Sequence, residues 1–116
     1  MIRLGKSVYH ALRGLRYVLR HERNFQIEIF VTEAVILLGV WLHLTRTEWI
    51  IIIFACFWVL AFELMNTAVE RVVNVLKPSP HPYARVIKDV MAGAVFLSAV
   101  GAMIIGAILF LSYWRW

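Results

Sequence analysis

The chain has 116 residues, 62% of them hydrophobic, and a mean hydropathy of +0.77. A soluble domain this small must cover a large surface from a small core, so composition excludes one and indicates a single integral membrane domain over residues 1–116. Its net charge of +5 comes from basic residues flanking apolar runs, which points to anionic headgroups or polyphosphate rather than nucleic acid.

Residues 1–24 interleave Arg3, Lys6, Arg13, Arg16, Arg20 and Arg23 with Ile2, Leu4, Val8, Leu12, Leu15 and Leu19. That helical spacing predicts an amphipathic helix lying in the membrane surface. Its arginines serve either as a basic anchor or as phosphate ligands. No apolar core precedes a small-residue cleavage site, so no cleavable leader is expected. Gly5 and Gly14 leave room for close contact with another helix. The first span is read over 25–44, with Glu28 near one end, placed to face a site, and Glu33 deeper, as a snorkelling or protonated interhelical carboxyl. His43 to Glu48 form a short polar turn between the interfacial aromatics Trp41 and Trp49.

The second span, 48–76, is about 43 Å long at ~1.5 Å per residue, longer than a hydrocarbon core of about 30 Å, so one end projects. Cys56, the single cysteine, lies mid-span as a small buried apolar residue. Pro78, Pro80 and Pro82 break the helix. A helix over 83–112 contains the third span, whose Gly93, Ala94, Ala99, Gly101, Ala102, Gly106 and Ala107 form a small-residue face suited to tight packing. Tyr113 to Trp116 read as an interfacial ending. Six Lys and Arg precede the first span, and Arg71, Lys77, Arg85 and Lys88 surround the second connection, leaving Arg46 and Arg115 for the other side. The N-terminus is therefore expected in the cytoplasm and the C-terminus outside. The expected fold is all-α, with an N-terminal surface helix and three transmembrane helices.

The projecting helix carries the chemistry. At about 100° per residue, Glu63, Asn66, Glu70 and Asn74 share one narrow stripe. Counted from Trp49, Glu63 lies roughly 21 Å and Glu70 roughly 31 Å along the axis. Glu63 then sits inside the far leaflet and Glu70 at its water boundary. A charge buried in lipid costs on the order of 2.5–3.5 kcal/mol on insertion scales, so an intramembrane Glu is a functional candidate. The structural alternative is a protonated Glu63 that only bonds a neighbouring helix.

The sequence has no Gly-rich phosphate cradle, protein-kinase signature, nucleophile elbow or zinc pattern. What remains is Glu22, Glu63, Asn66 and Glu70, with Lys88 and Asp89 arriving from the next helix. Carboxylates at a membrane surface suit Mg2+ shared with substrate phosphates, and a lysine beside them offsets polyphosphate charge. A carboxylate about 10 Å deeper lies where a lipid alcohol places its hydroxyl. Phosphoryl transfer asks for this positioning and a base at the acceptor. Small proton-coupled transporters cluster such residues too, with Glu63 as the proton site, and a structural membrane partner without chemistry is a third reading.

The run Glu63-Leu64-Met65-Asn66-Thr67-Ala68-Val69-Glu70, followed by Val72-Val73, resembles the E-[IL]-[LIM]-N-[ST]-A-[IV]-E-x-V-V-D signature of the prokaryotic diacylglycerol kinase family. Ala84-x-x-x-Lys88-Asp89-x-x-Ala92-x-Ala94-Val95 and Glu22-Arg23-Asn24-Phe25 are similar to its other conserved segments, so the resemblance covers nearly the whole chain. It implies a homotrimeric membrane lipid kinase with active sites shared between subunits. Such an enzyme sits in the bacterial cytoplasmic membrane and transfers the ATP γ-phosphate to a lipid alcohol with Mg2+. By the resemblance, Glu63 is the general base on the lipid hydroxyl, and Glu22 and Glu70 hold metal and nucleotide phosphates. Lys88 and Asp89 contact nucleotide, and Asn66 orients the site. Arg3 falls near substrate and nucleotide, and His10 at a nucleotide contact. Asn74 departs from the pattern, which has Asp there. Thr47-Glu48-Trp49 and Ala61-Phe62-Glu63 look closer to the Gram-positive branch, which prefers undecaprenol, whereas Glu28 matches the Gram-negative branch. Undecaprenol is slightly favoured and diacylglycerol stays open.

Overall fold

The computed structural model describes residues 2–76 and 81–114. The breaks at Pro78 and Pro80, the topology residues Lys77 and Arg115, and the terminal Trp116 lie outside them. All regular structure among the described residues is helical: α1 (Ile2–His21), α2 (Arg23–Leu42), α3 (Arg46–Leu76) and α4 (Pro82–Leu111), followed by a 3-10 turn, Ser112–Trp114. Three helical stretches, Arg23–Leu42, Arg46–Leu76 and Pro82–Trp114, are long and apolar enough to cross a membrane. Large apolar side chains such as Phe30, Leu37, Phe57, Phe96 and Ile108 stand exposed along them. Such a surface is satisfied by lipid or by other subunits, not by water.

The break between α1 and α2 falls earlier than the sequence suggests, at Glu22, whose backbone is extended (φ −112°, ψ 112°). Two bonds hold this elbow. The Glu22 N–H donates to Val18 O at 2.8 Å, and the Gln26 side-chain amide donates to Leu19 O, also at 2.8 Å. Gln26 thereby supplies a donor to a carbonyl at the end of α1, where carbonyls lack intrahelical partners. Glu22 is thus the junction of two helices rather than part of one. Val18 and Phe25, on either side of it, are buried.

At the opposite end of the bundle, α2 closes on His43 in the left-handed region (φ 56°, ψ 58°). The Leu44 N–H then reaches Gly39 O at 3.2 Å. Gly39 is crowded by the turn and the start of α3: a Cβ there would lie 2.8 Å from Trp49 Cη2 and 2.9 Å from Leu44 Cδ1. α3 starts on a reciprocal cap. The Thr45 N–H donates to Glu48 Oε1 at 2.9 Å, and the Glu48 N–H donates to Thr45 Oγ1 at 3.3 Å. The Tyr113 hydroxyl donates to that same Glu48 oxygen and ties the end of α4 to the α2–α3 turn. Leu44, Ile52 and Leu109 form the buried cluster beside it, with Trp49, Phe110 and Tyr113 packed against them.

α4 begins with Pro82 in its first turn and the His81 ring accepting the Tyr83 N–H at 3.2 Å. Its glycines are uncrowded within one chain. A Cβ on Gly93, Gly101 or Gly106 would meet nothing within 4 Å, and the same holds at Gly5 and Gly14. Ala99, Gly101, Ala102, Gly106 and Ala107 of the small-residue face line grooves between the helices.

Candidate active site

Glu63 is buried on α3, 6% exposed, although it is acidic and its helix is mainly apolar. One turn later, buried Thr67 folds its hydroxyl back onto the Glu63 carbonyl at 3.0 Å. This self-bonding hides a polar group without drawing on the carboxyl. Three more carboxyls, Glu28 on α2, Glu70 on α3 and Glu22 at the elbow, stand close enough for their charges to act on Glu63. Four acidic groups from distant parts of the sequence thus gather at one end of the bundle.

The stripe on α3 continues toward that end. Asn66 Nδ2 donates to Glu70 Oε1 at 3.4 Å, while Asn66 Oδ1 is buried without a partner among the described residues. Asn74 is not idle: its Oδ1 accepts from Lys88 Nζ at 2.5 Å, joining α3 to α4. An Asp there would turn this bond into an ion pair, so the neutral side chain holds Lys88 more loosely. Arg71 Nη2 donates to Glu22 Oε1 at 2.5 Å, and its guanidinium lies over the Tyr17 ring, 5.6 Å from the centroid.

The structure therefore brings Glu22, Glu63, Asn66 and Glu70 together, and pairs Lys88 with Asn74. It leaves others apart. Asp89 is exposed next to Lys88, and Arg3 and His10 are exposed on α1. None of these three side chains makes a hydrogen bond or ion pair with the gathered carboxyls among the described residues. Glu33, deeper on α2, is exposed as well. Sequence reasoning counted Arg71 only toward topology and passed over Tyr17 and Thr67. Arg71 follows Glu70 directly, but its partner Glu22 lies 49 residues away, and periodicity carries no signal over that distance.

No three His, Cys, Asp or Glu side chains converge into a closed metal cage among the described residues. Glu22, Glu70 and the unpaired Asn66 oxygen are hard oxygen donors, a partial set of the sort Mg2+ completes with substrate phosphates. The donor chemistry fits that ion. Toward the α2–α3 turn, starting a helical turn from Glu63 at Val59, a groove of about 500 Å³ runs between α2, α3 and α4. Thr32, Cys56, Ala102 and Gly106 help line it, and Glu28 is its only acidic lining residue among the described residues.

Residues 9–110 match the family model described as prokaryotic diacylglycerol kinase. The chain is 40% identical over 109 residues to an undecaprenol kinase of Bacillus subtilis (strain 168), covering 94% of this chain and 89% of that one. It is 38% identical over 106 residues to a diacylglycerol kinase of Synechocystis sp. (strain ATCC 27184 / PCC 6803 / Kazusa), covering 90% of this chain and 61% of that one. A diacylglycerol kinase of Haemophilus influenzae (strain ATCC 51907 / DSM 11121 / KW20 / Rd) is 32% identical over 108 residues, covering 92% of each.

Proposed function

The chain belongs to the prokaryotic diacylglycerol kinase family and is a membrane lipid kinase, and from that premise we propose that it transfers the ATP γ-phosphate to the hydroxyl of a membrane lipid alcohol with Mg2+. The observation that carries this reading is the buried Glu63 carboxyl, set deeper along α3 than Glu70 and within the field of Glu22, Glu28 and Glu70.

Glu63 takes the proton from the acceptor hydroxyl as the oxygen attacks the γ-phosphorus. Glu22 and Glu70 would hold Mg2+, with the buried Asn66 Oδ1 beside them as a further oxygen donor that orients the site. Bound Mg2+ offsets the negative charge of the phosphates. Lys88 leaves Asn74 for the polyphosphate, and Asp89 contacts the nucleotide beside it. The groove beginning at Val59 receives the acceptor's hydrocarbon chain. Undecaprenol is the favoured acceptor because the 40%-identical relative carries that name, against diacylglycerol for the relatives at 38% and 32%.

α1 lies in the cytoplasmic leaflet of the bacterial inner membrane with its arginines at the headgroups, and the C-terminus is outside. Arg3 and His10 are remote from the carboxyls of their own chain, so they act on the site of a neighbour in a homotrimer. The test is transfer from radiolabelled ATP by purified protein in mixed micelles, with undecaprenol or diacylglycerol offered separately, with Mg2+ or chelator. Mg2+-dependent label on one lipid, absent in Glu63→Gln, is expected. No label on either lipid from folded protein overturns the reading.

A further inference from the structure

Arg71 has no part in the roles above, yet it grips one of their main actors. In the sequence it fills the unspecified position of the motif, between Glu70 and Val72, so the resemblance says nothing about it. In the structure its Nη2 lies 2.5 Å from Glu22 Oε1, a short charge-assisted bond between α3 and the α1–α2 elbow. Its guanidinium also rests near the Tyr17 face, 5.6 Å from the ring centroid, within cation–π range. Glu22 is one of the two carboxylates assigned to the metal, and that carboxylate already carries a cation.

A guanidinium and a divalent ion on one carboxylate repel each other at short range, so both cannot be held equally well. The two partners differ in exposure: the Arg71 side chain is 50% exposed and that of Glu22 27%. Arg71 can therefore withdraw into water, whereas Glu22 is fixed by the backbone of the elbow. Tyr17 gives the departing guanidinium a nearby surface, so it need not leave the mouth of the site. We propose that Arg71 is a latch on Glu22, which a divalent cation must displace, and that it thereby sets the metal concentration at which the site assembles. Arg71 touches neither reacting group and is a positioning residue. The inference rests on the reading of Glu22 as a metal-holding residue.

The experiment titrates Mn2+ against the full chain in lipid micelles with a non-hydrolysable ATP analogue, reading bound Mn2+ by electron paramagnetic resonance without turnover. Arg71→Gln should lower the half-saturating Mn2+ concentration about threefold, within the range that exposed ion pairs command. Arg71→Lys, which keeps the charge but loses the planar fork, should fall between it and the parent. Arg13→Gln is the control for charge alone, since Arg13 also sits over a tyrosine, Tyr9, at 5.8 Å, but pairs with no carboxylate among the described residues. In steady state, Arg71→Gln should shift the Mg2+ half-saturation in the same direction with kcat unchanged. An unchanged or higher half-saturation in Arg71→Gln, or a fall no larger than in Arg13→Gln, overturns the latch. Glu22→Gln separates the two levels. If it weakens Mn2+ binding while Arg71→Gln has no effect, the latch alone fails. If it leaves Mn2+ binding intact, the metal role of Glu22 fails and takes the latch with it.

Discussion

Among the described residues no side chain hydrogen-bonds the Glu63 carboxyl: Thr67 bonds the Glu63 carbonyl and Asn66 faces Glu70. A carboxyl placed this way is left free for the chemistry proposed for it. Glu63→Gln is expected to lower turnover by at least about 100-fold, the usual loss when a general base is removed. Unfolding in mixed micelles should show the variant as stable as the parent or more so, since a neutral amide is easier to keep in apolar surroundings. Loss of turnover together with loss of fold would mean that Glu63 is structural. The stripe of Glu63, Asn66 and Glu70 was legible because its spacing is local to one helix. Glu28 was legible as a residue facing a site, but its nearness to Glu63 depends on how α2 packs on α3. The partner of Asn74 was hidden for the same reason: Lys88 reaches it from the next helix.

The helices themselves were well marked by length and hydropathy, while their ends were less so. Thr45-x-x-Glu48 is a capping pattern visible in the sequence, yet it reads only as a polar turn until the two reciprocal bonds are seen. Tyr113, 65 residues away from Glu48, could not be tied to it by any local rule. Tyr113→Phe should loosen the end of α4, read as faster amide exchange in residues 109–113 with lipid phosphorylation retained. His43 holds a left-handed backbone that favours glycine, so His43→Gly should stabilise the bundle by about 1 kcal/mol in micelle unfolding. Gly39→Ala should do the opposite, by about 1–3 kcal/mol, because the new methyl meets the Trp49 ring and Leu44. That close approach depends on how Trp49 lies across the turn, which the order of residues does not reveal.

One chain leaves much unfilled: apolar faces along three helices, glycines in open space on α4, and Arg3 and His10 far along α1 from the carboxyls. Membrane class and helix number follow from composition and hydropathy, but what covers those faces does not. If α1 serves a neighbouring subunit, mixing Arg3→Ala chains with Glu63→Gln chains should restore phosphorylation that neither has alone, since some sites then receive both intact residues. Mixed oligomers as inactive as their parents would place Arg3 and Glu63 in the same site of the same chain, and an active Arg3→Ala parent would place Arg3 outside the chemistry.

The elbow at Glu22 has a mechanical consequence. α1 is a rod about 30 Å long, at ~1.5 Å for each of its 20 residues, and it is joined to the bundle where one carboxylate sits. If α1 lies on the leaflet as proposed, shifting headgroups displace the far end of such a lever more than its fulcrum. A ligand carried partway along the rod would inherit that motion. At the fulcrum it is insulated, so the carboxylate would keep its distance from α3 whatever the rest of α1 does.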